Sequence, residues 1–304
     1  MSRLPVHDQT DSAPPPSTVE LLDDMSGIVS PPDVYVRVTE LLQDSAASAD
    51  AIADVIALDP HLTARLLRLV NSVYFGFARR IDTVSRAIAV LGETDLVSLV
   101  LAVSAVRSLS KLPTDRLDLE SFWRHSIHCA LGARAIARRA GVLHPERLFV
   151  AGLLHDVGYL VLFNRLPDLM REIATHAGAD EELMVGLEQA TLGFDHAAVA
   201  GDLLARWHLP ETTCAAVRLH HQDVGDGESL EAAIVRLADR MATQSCVGAL
   251  QRRALQLAED VAVEEDPLIE SIHVAIGGNV DLEAVREETA EGFTAAVGAL
   301  LGAG

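Results

Sequence analysis

Histidine and carboxylate side chains recur together in the second half of the chain. They are His125, the adjacent pair His155-Asp156, His196, the adjacent pair His220-His221, and Asp239. Imidazole and carboxylate ligands together suit iron, manganese or zinc. The pair His155-Asp156 lies within the apolar run LLHDVG, where a buried carboxylate without a partner would be costly. The pattern therefore predicts a site for one or two divalent transition-metal ions.

These ligands fall on five different predicted helices, as side chains that project into the core of a helical bundle would. Helical periodicity extends along nearly the whole chain, as in Ile52, Val55 and Ile56. The sequence from 96 to 109 is apolar nearly all round, which predicts a buried central helix. We find no alternating run typical of a strand, so the sequence predicts an all-α fold.

Composition and turn residues divide the chain into four parts. Residues 1–18 are rich in Pro, Ser and Asp and are predicted to be a disordered tail. Residues 19–113 are expected to form an N-terminal helical subdomain that ends at Pro113-Thr114, residues 114–250 a helical bundle, and residues 251–304 a C-terminal extension. The helices predicted in the last two parts span about 118–140, 145–165, 180–191, 195–207, 210–221, 230–247 and 281–301.

The chain is strongly acidic, with 24 Lys and Arg against 44 Asp and Glu and a formal net charge of -20. Contacts from Lys and Arg to phosphate supply most of the affinity for nucleic acid, so we expect no direct nucleic-acid binding and no docking on an anionic membrane. Three cysteines without a Cys-x-x-Cys motif are typical of a reducing cytosol. We expect a cytoplasmic protein, since no apolar run reaches the roughly 20 residues of a membrane span.

The order His125, His155-Asp156, Asp239 resembles the metal-binding pattern of the HD superfamily of metal-dependent phosphohydrolases. His196 and His220-His221 resemble the additional ligands of its HD-GYP branch, whose members hydrolyse cyclic di-GMP. The most extensive resemblance, over about residues 28–245, is to the HDOD family of bacterial signalling proteins. It is carried by DPHLTARLLRLVNSVYFG (59–76), AIAVLG (87–92), FWRHS (122–126), AGLLHDVG (151–158) and the series from Glu188 to His221. This resemblance implies an HD-like helical bundle with an N-terminal helical subdomain.

Two departures from the catalytic relatives bear on activity. Tyr159 stands where those proteins have a lysine that meets phosphate, and a neutral phenol cannot stabilise developing charge as a cation does. The segment after His221 is QDVGDGESLE, which is acidic and lacks the Gly-Tyr-Pro loop of the HD-GYP branch. These departures favour a regulatory module that binds signalling proteins, with a nucleotide as a further ligand to consider. The alternative is an active phosphodiesterase for a cyclic dinucleotide or another phosphoester, with its water held by metals at His155 and Asp156.

A second candidate site lies on the helix that begins at Pro60. Arg65, Arg68 and Asn71 are spaced i, i+3, i+6 and are expected on the side opposite the leucines, exposed together. In an acidic chain such a patch could bind an acidic or phosphorylated partner through bidentate contacts. The other interpretation is a solvated helix face with arginine stems packed along it. The sequence leaves the partner and the oligomeric state open, with a homodimer among the options.

Overall fold

The structure is a computed structural model, and it describes residues 16–25, 30–44, 48–77, 79–112, 117–178, 180–222, 229–245, 272–274, 276–277 and 280–302. Every regular element of these residues is helical, without a strand among them, so the predicted all-α class is confirmed. In this part of the chain no helix is long and apolar enough to cross a bilayer. The predicted subdomain break at Pro113-Thr114 and most of residues 246–281 lie outside the described residues.

The first half contains six α-helices and a 3-10 turn at Val73–Phe75 among the described residues. The helices are α1 (Thr18–Asp23), α2 (Asp33–Gln43), α3 (Ala49–Ala57), α4 (Pro60–Val70), α5 (Val84–Leu91) and α6 (Glu93–Leu109). Helices α2, α4 and α5 pack around α6, whose residues from Leu99 to Val106 are all buried. An uninterrupted apolar surface is needed to pack against neighbours on all sides, which is why this segment is nearly apolar throughout.

The second half is a helical bundle built around the longest described helix, α7 (Leu119–Arg139). Helices α8, α14 and α15 pack directly on α7. The other described helices are α8 (Pro145–Leu154), α9 (Val157–Arg165), α10 (Pro167–Ala177), α11 (Glu181–Leu192), α12 (His196–Arg206), α13 (Glu211–Arg218), α14 (Leu230–Gln244) and α15 (Leu282–Leu300).

Three boundaries differ from those predicted. The single helix expected over 145–165 is two helices, because the backbone turns at Asp156 (φ -98°, ψ 3°). Helix α10 was not predicted, and it begins with Pro167 at its first position, where proline is well tolerated. Thr18 was predicted to belong to the disordered tail, but it begins α1, because Ser17 and Glu20 form a reciprocal capping box; residues 1–15 of that prediction lie outside the described residues.

A cluster around a buried arginine of the second half connects the two halves. Arg134 on α7 donates from Nε and Nη2 to Glu146 Oε1, both at 3.1 Å. Its guanidinium also lies over the rings of Tyr74 and Phe75, at 4.9 and 4.3 Å from their centroids. The Tyr74 hydroxyl donates to the carbonyl of Leu131. Because Tyr74 and Phe75 belong to the first half and α7 to the second, this cluster fixes one half against the other.

Helix α15 packs on both halves as well. Glu288 accepts hydrogen bonds from Arg138 and Arg139 of α7, at 3.1 and 2.6 Å. At Gly292 a Cβ would lie 2.7 Å from the Tyr74 ring, so only glycine allows this approach. Further along α15, Phe293 lies beside His128 of α7 with ring centroids 5.7 Å apart. The final helix of the predicted C-terminal extension is therefore part of the folded core.

The environment of His128 predicts a loss of stability in acid. Burial, with a smaller contribution from His125, lowers the pKa of His128 to about 4. The unfolded chain, with a histidine pKa near 6.5, binds more protons between pH 6.5 and 4, so stability falls as the pH falls through this window. We expect His128→Gln to remove about 2 kcal/mol of the stability loss between pH 7 and pH 5.

Urea unfolding of both proteins at the two pH values measures this difference. His61→Gln, a change at an exposed histidine, is the matched control and should leave the pH dependence of the wild type unchanged. Equal pH dependence in wild type and His128→Gln would contradict the assignment.

Candidate metal centre

The structure brings all seven predicted ligands together in the core of the second half. Six of them are at most 3% exposed, and the side chain of His221 is 6% exposed. His125 is on α7, His155 and Asp156 form the link between α8 and α9, His196 begins α12, His220 and His221 follow α13, and Asp239 is on α14. Chain segments far apart in sequence thus converge on one buried point.

The Asp156 carboxylate lies at the middle of this cluster. Its Oδ2 is 3.2 Å from His155 Nε2 and 3.9 Å from His125 Nε2. Its Oδ1 is 3.3 Å from His196 Nε2 and 3.9 Å from His220 Nε2. Each oxygen therefore faces a different pair of imidazoles. Two sets of side chains that could each hold an ion share this one carboxylate: His125, His155 and Asp156, and Asp156, His196, His220 and His221.

Asp239 completes the first set from the opposite side. Its Oδ1 is 2.9 Å from His125 Nε2 and 3.4 Å from His155 Nε2. Burial by itself would raise the pKa of Asp239, but the hydrogen bond from His125 and the positive charge that His155 carries while its Nε2 is protonated hold it well below its usual range. The pKa of Asp156 is also well below its usual range, because His155 and His196 outweigh the effect of burial. Both carboxylates are therefore ionised, as ligands must be.

Backbone carbonyls orient two of the imidazoles toward the centre. His155 Nδ1 donates to the carbonyl of Gly152 at 2.8 Å, and His220 Nδ1 donates to the carbonyl of Val217 at 2.6 Å. With Nδ1 donating to a carbonyl, Nε2 is the atom that can bind a metal once it has released its own proton, and the Nε2 atoms of both rings are buried without a hydrogen-bond partner among the described residues. Buried unpaired polar atoms are costly, and a metal ion would satisfy both of them. The residues thus fit a metal centre.

Glu188 holds His196 in the same way. Its Oε2 accepts the backbone N–H of His196 at 2.9 Å and the ring Nδ1–H at 2.8 Å. This leaves His196 Nε2 free to face Asp156 and His221, whose Nε2 is 2.9 Å away. A carboxylate behind a metal-binding histidine fixes the ring and raises its basicity. Glu188 belongs to the sequence series that resembles the HDOD family, but the sequence alone did not show this role.

Glu181 is a site residue that the sequence analysis missed. It lies on α11, and its Oε1 is 3.9 Å from His221 Nε2. Glu181, His221 and Asp239 form a further group whose atoms could hold an ion. Burial and the nearby charge of Asp239 raise the pKa of Glu181 well above its usual range. The spacing of seven residues between Glu181 and Glu188 puts both on one face of α11, a signal that could have identified the residue.

Tyr159 closes the centre on the side of His196. The two rings are stacked with centroids 3.8 Å apart and an interplanar angle of 17°, and the tyrosine is 2% exposed. Burial and the charges of Glu188 and Asp156 raise the pKa of Tyr159 well above its usual range, so the phenol stays neutral. Cys129 lies near His155, but burial raises the pKa of its thiol to about 11. It is therefore not a ready thiolate ligand.

The predicted patch of Arg65, Arg68 and Asn71 is not a single exposed surface, and this expectation was wrong for two of the three residues. Asn71 is half-buried, with Nδ2 donating to the carbonyls of Leu67 and Ile81 at 2.7 and 2.6 Å and Oδ1 accepting from the Ile81 N–H at 2.7 Å. Arg65 is also half-buried and donates from Nη1 to the carbonyl of Leu300 at 3.0 Å. Arg68 is exposed, as predicted. A sequence cannot show the partners that draw such side chains inward.

The helical scaffold and the buried His/Asp cluster define an HD-like protein. Within that class the chain belongs to the HDOD family: its residues 28–223 match the family model of the HDOD domain, so the predicted family is confirmed. It is similar in structure to an HDOD domain protein of unknown function from Geobacter sulfurreducens, with a TM-score of 0.67 and 27% identity, covering 93% of this chain and 97% of that one.

Two further relatives extend the comparison. A protein of Shewanella amazonensis SB2B, named as a candidate phosphohydrolase, shares the fold with a TM-score of 0.70, 24% identity, and coverage of 92% of this chain and 97% of that one. An uncharacterized protein of Treponema pallidum is 26% identical over 208 residues, which are 67% of this chain and 39% of that protein. The chain thus spans less than half the length of this relative.

The close approach of α9 and α12 predicts that Gly158 is required for the centre. A Cβ at Gly158 would lie 1.9 Å from the carbonyl oxygen of His196, so Gly158→Ala must displace the start of α12. We expect a loss of roughly 3 kcal/mol or more of stability, as for other overpacked core positions.

Gly186 on α11 provides the matched control, since a Cβ there would meet no atom within 4 Å. Gly186→Ala should raise the free energy of unfolding by about 0.5–1 kcal/mol, the usual gain at an exposed helical glycine. Thermal and chemical unfolding distinguish the two variants. Similar stability of Gly158→Ala and Gly186→Ala would show that the α9–α12 contact is not as described.

Proposed function

We propose that this protein is a regulatory module of bacterial signalling that binds partner proteins, and that its buried centre holds one or two metal ions in a structural role. The observation that carries the proposal is the burial of the ligands, of which six are at most 3% exposed. Structural metal sites are closed by protein ligands, whereas catalytic sites keep a position open for water or substrate.

Each of the two ligand sets would hold one of the two ions. His125, His155, Asp156 and Asp239 would hold one ion, and Asp156, His196, His220 and His221 the other. Mixed imidazole and carboxylate donors favour iron, manganese or zinc. Such an ion supplies Lewis acidity at an open position, and in a closed set it contributes to the free energy of folding. Glu188, Gly152 and Val217 keep the histidines in the ligating orientation whichever metal is bound.

Phosphodiesterase activity is the alternative function, and the complete ligand set is the observation in its favour. Against it, Tyr159 stacks on His196 and supplies no positive charge where a phosphate would lie. Arg240 is one cation near the centre, and it is engaged with Glu181 at 3.9 Å and Glu182 at 3.0 Å. The acidic segment at Asp223, Asp226 and Glu228 lies outside the described residues, so this part of the argument rests on sequence.

The proposed partners are other signalling proteins. Arg68 is the residue of the predicted patch whose side chain is exposed for such a contact, while Arg65 and Asn71 serve the fold. Relatives that are longer than this chain, as in Treponema pallidum, are consistent with a module that works beside other segments.

We predict that protein purified without chelator, or reconstituted with Fe, Mn or Zn, contains at least one metal ion per chain. Asp156→Asn should lower both the metal content and the melting temperature, because the remaining ligands become uncompensated buried polar groups. Asp54→Asn, at an exposed carboxylate of α3, is the control and should change neither. Elemental analysis showing less than about 0.1 ion per chain after reconstitution would reject the metal centre.

We also predict no turnover of cyclic di-GMP by the metal-loaded protein. The buried ligands and neutral Tyr159 leave a phosphodiester neither access nor a cation. Chromatography of the nucleotide after incubation with Mn, Fe or Zn tests this, with an active HD-GYP enzyme as the positive control. Linear dinucleotide formed by wild type, and absent with Asp156→Asn, would establish the phosphodiesterase instead.

A further inference from the structure

A cavity of about 410 Å³ lies in the first half of the protein, separate from the metal centre. It is bounded by α2, by the junction of α3 and α4, and by the C-terminal half of α6. The metal ligands lie on other helices, and none of them lines it. Sites for small molecules are typically concave and about 300–1,000 Å³ in volume, so the cavity has room for a small ligand.

The charge of the lining is opposite to that of the chain. Four cations line the cavity and two carboxylates accompany them, which gives a net charge of +2 in a chain whose net charge is -20. The cations are Arg37, Arg65, Arg107 and Lys111, and the carboxylates are Asp33 and Asp59. A concentrated positive charge in an acidic protein needs an explanation other than general solubility.

Asp59 is already satisfied within the protein. Its Oδ1 accepts the backbone N–H groups of His61 and Leu62, both at 3.0 Å, and its Oδ2 accepts Arg107 Nη1 at 2.8 Å. The side chains of Arg37 and Lys111, in contrast, form no ion pair or hydrogen bond within the described part of the chain, and both residues are exposed. The cavity therefore holds two cations that a bound anion could use without breaking an existing contact.

Ser104 adds an unpaired hydroxyl to the same wall. It is 8% exposed, it lines the cavity, and its hydroxyl has no hydrogen-bond partner among the described residues. Because the hydroxyl faces the cavity, water can hydrate it when no ligand is bound, and a ligand oxygen can take the place of that water. Ser104, Arg107 and Ser108 are spaced i, i+3 and i+4 on one face of α6, and Lys111 follows just after the end of the helix, so hydroxyl and cationic donors face the cavity together.

The remaining lining is apolar. It is formed by Pro32, Val34, Val55, Leu58, Leu62 and Val103, and Leu58 is 68% exposed although it is a large hydrophobic residue. Inorganic phosphate alone would leave these side chains in contact with water. A ligand with an apolar or aromatic group beside its anionic group would cover them and gain about 25 cal/mol for each Å² buried.

We propose that this cavity binds a small phosphate monoester with a compact apolar or aromatic group. A phosphate monoester carries a charge of about -1.5 to -2 at neutral pH, which matches the net charge of the lining. Its three terminal oxygens accept hydrogen bonds from the guanidinium of Arg37, the ammonium of Lys111 and the hydroxyl of Ser104. Arg65 is held by the carbonyl of Leu300 and is thus fixed at the rim before a ligand arrives.

Calorimetric titration of the full chain at low ionic strength tests the proposal. The probes are phenyl phosphate and AMP, with phenol, adenosine and inorganic phosphate as matched controls that each lack one part of the ligand. We expect at least one of the two monoesters to bind, and to bind at least about tenfold more tightly than its neutral counterpart and than inorganic phosphate.

Variants then locate the binding. Arg37→Gln combined with Lys111→Gln should weaken monoester binding at least about tenfold, because two charge-assisted contacts are lost. Arg79→Gln combined with Arg86→Gln changes the net charge equally at exposed positions outside the cavity, and should change the affinity by less than about twofold. Ser104→Ala should weaken binding without lowering the melting temperature, since its hydroxyl has no protein partner to lose.

Three results would overturn the proposal. They are no binding of either monoester at millimolar concentration, equal binding of a monoester and its neutral counterpart, and unchanged affinity in the Arg37/Lys111 double variant. Inorganic phosphate binding as tightly as the monoesters would likewise reject a role for the apolar wall. The cavity lies outside the metal centre, so these outcomes are independent of metal content and of the test with cyclic di-GMP.

Discussion

The burial of one carboxylate, that of Asp156, is the constraint around which the second half is built. A charged group that is 3% exposed loses its hydration, and it is tolerated only when opposite charge or a metal ion replaces the water. Two imidazoles face each of its oxygens, and the segments that supply them come from α7, α12 and the end of α13. The turn between α8 and α9 places the Asp156 carboxylate itself at the centre. Glu188 and two backbone carbonyls then fix the rings, so the bundle is arranged from this point outward.

The same burial is the basis of the proposed structural role of the centre. A catalytic metal needs a coordination position for water or substrate, and a phosphoester needs a cation near its oxygens. Here the ligands are covered, and Tyr159 stacks on His196 on the side where catalytic relatives carry lysine. A neutral aromatic ring in that place adds packing and excludes water, which stabilises a closed centre. A ligand set that resembles that of the HD phosphohydrolases is thus compatible with the proposed role in folding and regulation.

The sequence could predict the helices, because they depend on local periodicity. It could also predict the ligand cluster, because histidine and carboxylate side chains are rarely buried together without a function. It could not show the turn between α8 and α9, since the apolar pattern of LLHDVG continues through it without a proline or a helix-ending glycine. Glu181 and the roles of Glu188 and Asn71 depend on partners at a distance: Glu188 meets His196, and Asn71 meets the backbone of Ile81. The sequence also did not show the role of Ser104, because one hydroxyl barely alters the apolar character of α6. Side-chain partners across the fold decide these cases, and no local pattern encodes them.

Helix α15 contacts α4 and α6 of the first half and α7 of the second, and this bears on how a ligand in the first half could affect the second. Arg65 lines the cavity and also donates to Leu300 at the end of α15, while Glu288 and Phe293 of the same helix contact α7. A phosphate that competes for the Arg65 guanidinium would weaken the hydrogen bond from Arg65 to Leu300. A phosphate that leaves this hydrogen bond in place would instead stabilise the present position of α15. A ligand shifts a conformational equilibrium only by its difference in affinity for the two states. Such a difference would arise at the hydrogen bond between Arg65 and Leu300. Arg65 lines the cavity, and its hydrogen bond reaches α15, which packs on α7. Helix α7 in turn carries the metal-ligand candidate His125.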